Sequence, residues 1–331
     1  MNALASTSSP TVTETRPKRY HVRHDTVYRY TQPVHESHQL LRLEPRPQAW
    51  QHCASQHIDV QPEPVRAQSF IDGFGNRVRA LHFETTHDEL WVRSECWIEL
   101  KHRPVPDLAA SLPWENVRDT LRYRAGQRLD SASFEASAFL FESSEVRITR
   151  DFAQYAALSF TPGRPLLAAA DELMRRIFSE FTFDPEATDI TTPVIEVFQQ
   201  RRGVCQDFAH LMISCLRSLG LPARYVSGYL LTRPPAGQPR LIGADASHAW
   251  VSLFHPGTGW HDLDPTNALW VDIDHITIGW GRDFSDISPL RGVILGGGSH
   301  TPEISVTVAP EEEYARLYSD TPGLDLLPHE G

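Results

Sequence analysis

The segment Arg201-Arg202-Gly203-Val204-Cys205-Gln206-Asp207-Phe208-Ala209-His210 constrains this chain more than any other. Gly203 frees the backbone just before a run whose apolar positions, Cys205, Phe208, Leu211, Met212, Cys215, Leu216 and Leu219, recur at helical spacing on one stripe. Gly220 and Pro222 then stop the helix, the first tolerating left-handed geometry and the second unable to continue it. The pattern predicts a core-facing helix that begins at Cys205. Unpaired amide N–H groups and the positive end of the helix dipole gather at such an end, and both favour thiolate over thiol. The alternative is an inert core thiol, and that reading suits Cys215, one turn before the helix ends. A nucleophile also needs a base and an orienting carboxylate, which must come from elsewhere in the chain.

Length and charge narrow the class. With 331 residues the chain can hold two domains, each with a core of its own. A net charge of −11 excludes a general nucleic-acid or anionic-membrane binder, since those need a basic face. The basic run from Arg16 to His24 reads as a solvated lead-in to the first strand. The four cysteines, at positions 53, 96, 205 and 215, form no CxxC pair and no small-domain disulfide spacing, which fits a reducing compartment. Residues 1–15 show no signal-peptide core and no apolar run is long enough to span a bilayer. The expected location is the cytoplasm.

Residues 1–19, rich in Ser, Thr and Pro where they begin, read as a disordered tail. From residue 20 to about residue 105 short alternating segments follow one another, from His21-Val22-Arg23-His24 to Cys96-Trp97-Ile98-Glu99-Leu100. Turn signals at Pro45–Pro47, Pro62–Pro64 and Asp72-Gly73-Phe74-Gly75-Asn76 separate them, which predicts an antiparallel β-sandwich or barrel. The last of these turns reads as a hairpin connection rather than a ligand loop. Residues 106–160 read as a linker with connecting helices, one of them over Asp151 to Leu158. A helix over Pro165 to Phe181, a second opened by Thr192-Pro193 and the Cys205 helix come next, then strands from Ala223, Ser247 and Trp260 and at Ile304 to Val308. Helices followed by a sheet make residues 161–309 an α+β catalytic core. Residues 310–331 read as a loose acidic tail.

Ser247-His248-Ala249-Trp250-Val251 opens one of these strands, and alternation puts His248 and Trp250 on one face. Asp262-Leu263-Asp264-Pro265-Thr266-Asn267 ends the next, after the short turn His255-Pro256-Gly257-Thr258-Gly259. The two strands should pair antiparallel and set His248 beside Asp264, with the helix thiol facing them. The chemistry uses each part: imidazole takes the thiol proton and returns one to the leaving amine, while the carboxylate fixes the ring's tautomer and stabilises imidazolium.

Together these residues resemble the bacterial transglutaminase-like superfamily. The likeness runs through Gly203-Val204-Cys205-Gln206-Asp207-Phe208, His248-Ala249-Trp250 and Leu263-Asp264-Pro265-Thr266-Asn267, in that order. Gly281-Arg282-Asp283-Phe284-Ser285-Asp286 and Pro289-Leu290-Arg291-Gly292 are similar to the family's tail, and Leu41-Arg42-Leu43-Glu44-Pro45 with Asp72 to Asn76 to its preceding β domain. The resemblance implies a papain-like core, a helix bearing Cys packed on an antiparallel sheet, with Cys205 as nucleophile, His248 as base and Asp264 as orienting acid.

Gln206, Asp207 and Trp250 stand beside the triad as supporting candidates, although first-turn polarity explains the first two and a sheet-core aromatic the third. One carbonyl-polarising amide should be the N–H of Cys205 itself. Asp272-Ile273-Asp274 and Asp283 to Asp286 lack the spacing of a calcium loop, so neither an obligatory metal nor a cofactor is expected. The reading is a cysteine peptidase or amidase acting on peptide or protein substrate. Alternatives are a crosslinking transglutaminase with the same thioester, a noncatalytic peptide-binding module, and a metalloenzyme using Cys205, His210 and His248.

Overall fold

A computed structural model describes residues 17–232, Gly243, Asp245 and 247–318. The N-terminal strands are β1 (Lys18–Leu41), β2 (Gln51–Gln61), β3 (Arg66–Ile71), β4 (Arg77–Phe83) and β5 (His87–Leu100). All of them pair antiparallel, as their alternation predicts, and β1 organises the set. Its first half pairs with β5 and its second half with β4, so this 24-residue strand serves two sheet halves. Tyr30, Val34, Leu41, Leu81, Phe83, Leu90 and Val92 fill the space between the halves as one buried cluster. That is a sandwich whose two layers share a bent strand.

Two further strands complete these layers from the far end of the chain. β14 (Pro302–Pro310) lies along the first half of β1 and β13 (Leu290–Gly296) along the second. The sequence reading left both in the catalytic core, and this is corrected by the pairing. Short strands carry no mark of their partner, and β1 offers two free edges that local pattern cannot reveal. The tail expected after residue 310 begins instead as a helix, Glu311–Tyr318, whose Tyr318 is buried against His21.

Between β5 and β13 lies the helical and mixed core. Helices α1 (Trp114–Leu121), α2 (Ser131–Ser137), α3 (Arg150–Ala157), α4 (Leu166–Glu180) and α5 (Val194–Gln200) lead to α6 (Cys205–Ser218). The short parallel pair β6 (Thr182–Phe183) and β7 (Arg202–Gly203) is set among the last of them. A five-stranded antiparallel sheet follows in the order β11-β10-β9-β8-β12. Its strands are β8 (Ala223–Leu230), β9 (Ser247–His255), β10 (Gly259–Asp264), β11 (Leu269–Trp270) and β12 (His275–Gly281). The four-residue helix α7 (Phe284–Ile287) leads back toward β13.

Helix α6 is the centre of the core. Every residue from Asp207 to Arg217 is buried, so the single apolar stripe read from the sequence understates it: α3, α4 and α5 pack on one side and β8 and β9 on the other. The buried Arg217, in the last turn, has its charge satisfied by carbonyls from outside the helix, donating to those of Ala223 (2.7 Å), Phe141 (2.8 Å) and Arg282 (2.7 Å).

The β domain is fastened to the core sheet. Tyr20, Val22 and Ile98 share one apolar cluster with Tyr229, Ile276 and Ile278. Gln51 exchanges hydrogen bonds with both backbone groups of Thr277 (2.6 and 2.8 Å), and Asn76 does the same with Trp280 (2.8 and 3.1 Å). The Asp72–Asn76 turn does connect a hairpin, as expected, and its last residue also docks onto β12. No helix among the described residues is long and apolar enough to cross a membrane.

Candidate active site

Cys205 is the first residue of α6, half-buried, where the chain leaves the extended residue Val204. Asp207, at the third helical position, turns back and accepts the N–H of Val204 (2.8 Å) and the hydroxyl of Thr188 (2.6 Å), which fixes the start of the helix. Gly203 has a steric reason here: a Cβ at this position would stand 2.7 Å from Oδ2 of Asp207 and 3.0 Å from its Cβ. Asp207 is therefore the clamp that places the thiol. Burial first of all pushes its carboxyl above the ordinary range.

His248 comes from β9 and Asp264 from the end of β10, two strands paired antiparallel as expected. Nε2 of His248 lies 2.7 Å from Oδ2 of Asp264, which leaves Nδ1 as the other ring nitrogen. Burial alone would lower the pKa of His248, but Asp264 and Cys205 outweigh it and raise it from 6.5 to about 10. Asp264 moves the opposite way. Desolvation would raise its carboxyl, and the hydrogen bonds from His248 and His275 hold it well below the usual range. Imidazole and carboxylate are thus in direct contact, and the thiol acts on the same ring.

Asp264 carries more support than the sequence showed. Asn267 donates to Oδ2 at 2.7 Å, and the backbone N–H groups of Thr266 (2.9 Å) and Asn267 (3.3 Å) reach Oδ1. His275, at the start of β12, places its Nε2 3.2 Å from Oδ2. Its Nδ1 is buried without a hydrogen-bond partner, and burial lowers its pKa, so it is a neutral donor. Sequence reading missed His275 because the strand order brings β12 beside β8, not beside β10. The Asp-x-Asp-His run around it was its one visible signal.

Two matches now bear on the fold and this geometry. Residues 20–99 match the bacterial transglutaminase-like N-terminal region, and residues 153–265 match the transglutaminase-like superfamily core. An uncharacterised protein of Mycobacterium tuberculosis is 39% identical over 303 residues, covering 89% of this chain and 93% of that protein. The chain belongs to the transglutaminase-like superfamily. The crystal structure of a "Putative Cysteine Protease" from Cytophaga hutchinsonii shares the fold, with a TM-score of 0.71 at 19% identity over 90% of this chain and 92% of that one. A protein-glutamine gamma-glutamyltransferase of Pseudomonas aeruginosa is 38% identical over 87 residues, which is 26% of this chain and 13% of that enzyme.

Within this transglutaminase-like core the remaining candidates fall into place. Trp250 is fully buried and edge-on to His275 (5.4 Å between ring centres), so it walls the His248–Asp264–His275 group from within the sheet. Gly228, the cross-strand partner of His248, leaves room for that indole and for the backbone of Ile276, which an added Cβ would strike. Gln206 is half-buried at the second helical position. His210 accepts the N–H of Phe284 (3.2 Å) and lies against Tyr225, and among the described residues it does not join Cys205 and His248 in a ligand cluster. Asp262, two residues from Asp264 on the same strand, pairs with Arg103 (2.5 Å). Asp283 caps the short helix α7 through the N–H of Ser285. Cys215 is buried, and burial pushes its thiol up. Cys53 and Cys96 meet across β2 and β5, which their spacing does not show, and a hydrogen bond from Cys96 pulls the Cys53 thiol down.

Proposed function

We propose that Cys205, His248 and Asp264 catalyse acyl transfer from peptide or amide bonds through a thioester, resolved by water. The observation that carries this reading is the position of His248. One ring nitrogen is tied to Asp264 at 2.7 Å, and the Cys205 side chain, at a helix N-terminus, acts with Asp264 to raise the ring's pKa. In the first half-reaction Sγ of Cys205 bonds to the carbonyl carbon, the C–N bond breaks, and the imidazolium of His248 gives its proton to the departing amine. In the second, His248 takes a proton from water, the hydroxide adds to the thioester, and the C–S bond breaks to release the acid and restore the thiol. The first-turn N–H groups of α6, which have no intrahelical acceptor, supply the oxyanion's donors.

The partial likeness to the Pseudomonas aeruginosa glutamyltransferase supports a second reading, in which a primary amine resolves the same thioester. Vinyl-sulfone labelling of one sample, and incubation of a separate unlabelled sample with a glutamine-containing protein, test both. Labelling confined to Cys205 and lost in Cys205→Ala, with ammonia or new termini released in the absence of added amine, supports hydrolysis. Incorporation of a fluorescent amine in preference to hydrolysis supports transfer. A Cys205→Ala protein that retains the activity refutes the nucleophile.

A further inference from the structure

The outer face of the β domain holds a second group of chemically capable side chains, remote in sequence from the triad and independent of its reading. His38 of β1 stands directly across from His82 of β4, and their rings stack with centres 4.2 Å apart and planes 9° from parallel. Glu36, two residues before His38 on the same face, places Oε1 3.2 Å from Nε2 of His38 and 3.3 Å from Nε2 of His82. Glu84, two residues beyond His82, brings a second carboxylate to 3.9 Å from the same Nε2. One ligand atom each from Glu36, His38 and His82 lies within 4.8 Å of the others.

Three features set this group apart on the surface of the sandwich, beyond the hydrogen bonds of Glu36 to both rings. Pairing His38 with His82 and continuing the register sets Glu36 opposite Glu84, so like side chains face each other twice in succession, an arrangement that opposes strand pairing when the groups are charged alike. Glu36 follows a register shift in the pairing of β1 with β13, between Val34 and Glu36, the kind of irregularity that re-aims a side chain. The separations of 3.2 and 3.3 Å also match the spacing of ligand atoms around a tetrahedral ion with bonds of about 2.0–2.1 Å, which is roughly 3.3 Å.

The geometry points to a binding site for a zinc-class divalent transition metal, held by Nε2 of His38, Nε2 of His82 and the carboxylate of Glu36, with Glu84 in reach as a fourth ligand. Two imidazoles with one or two carboxylates suit zinc, cobalt, nickel or copper ions, and not calcium or magnesium, which take oxygen donors. Three of the four side chains are exposed and the fourth half-buried, so the ligands can close on an ion by side-chain rotation with the strands fixed. The two imidazoles also border a groove of 520 Å³ that continues over Leu40, Ala80 and Gln68 to Arg291, which gives an ion access to the ligands. Such an ion would neutralise the opposed carboxylates and tie β1 to β4. The other histidine–carboxylate cluster, His248, Asp264 and His275, is fully buried and belongs to the proposed active site.

The test is a cobalt(II) titration of the full-length chain carrying Cys205→Ala, so that the reactive thiol cannot compete, followed by zinc displacement of the visible cobalt bands. One equivalent should bind with nitrogen–oxygen bands and no thiolate charge-transfer band. The substitutions His38→Ala, His82→Ala and Glu36→Gln should each weaken binding by on the order of 10–100-fold or more. Made in the chain that retains Cys205, they should leave its alkylation rate unchanged. These residues are on the surface, so a circular dichroism spectrum and melting temperature matching the parent confirm the fold. Absence of saturable cobalt uptake overturns the site, and so does uptake that is undiminished in both histidine variants.

Discussion

Replacing Asp264 with Asn keeps the shape of the side chain and removes its charge, which makes it a sharp probe of the triad. Asp264 accepts from His248, His275 and Asn267 at Oδ2 and from two backbone N–H groups at Oδ1. An amide cannot accept at both ends, so its NH₂ group meets one set of donors. Turned toward His248, it is tolerated only if the ring accepts at Nε2. The proton then sits on Nδ1, and nothing is left to receive the one on sulfur. The size of the effect follows from His248, whose pKa is raised from 6.5 to about 10 against the pull of burial. That span is worth roughly 5 kcal/mol, the net of what Asp264 and Cys205 add and what burial takes away. Alkylation of Cys205 by iodoacetamide should fall by on the order of 10²–10⁴ across neutral pH. Mass spectrometry of the Cys205 peptide gives the rate, with the Cys53 peptide as internal reference and circular dichroism as the fold check. A folded Asp264→Asn protein alkylated at the wild-type rate refutes the carboxylate's role.

Asp262→Asn should do the reverse. It leaves the triad intact but strips a buried partner from Arg103, so stability should drop by about 3–5 kcal/mol in denaturant titrations while the folded fraction labels normally; slow labelling with unchanged stability would mean that the wrong aspartate has been assigned. Acid should also unfold the protein steeply. Burial lowers His21, His24 and His210 from 6.5 to about 4, so each is neutral when folded and binds a proton on unfolding. The stability they confer is complete above pH 6.5 and lost as pH falls from 6.5 through 4, at roughly 1.4 kcal/mol per pH unit for each group. A urea midpoint that stays level over this range contradicts that account. His248 has the opposite sign: its contribution is full below 6.5 and lost as pH rises through 10. Gly203→Ala should slow Cys205 labelling more than it lowers the melting temperature, because its Cβ collides with the Asp207 clamp, and a parallel loss of both would make Gly203 merely structural.

The sequence was most legible where local pattern and chemistry coincide. Gly203 to Pro222 announced α6, and the short turn from His255 to Gly259 announced the β9–β10 pairing, because both depend on near neighbours. The choice between Asp262 and Asp264 was not open to alternation, since both lie on one face; Arg103, more than 150 residues away, separates them by claiming the first. His275 and the pairing of His38 with His82 were hidden for a related reason. Each acts through a strand neighbour that only the assembled sheet supplies. The strands β13 and β14 were misassigned because hydrogen-bonding partners leave no trace in composition.

The path of β1 has a consequence for how the chain is made. Its flanking strands β13 and β14 leave the ribosome only after the whole core between Lys101 and Pro289. In topology that core is an insertion within the β sandwich. Until these two strands emerge, one side of a 24-residue strand is bare, an open template for pairing with another chain. Expressed alone, the segment from residue 17 to residue 100 would keep that bare edge permanently. A boundary drawn after β5 therefore divides the sequence but not the molecule, and a separable β domain would need its last two strands joined back by a designed linker.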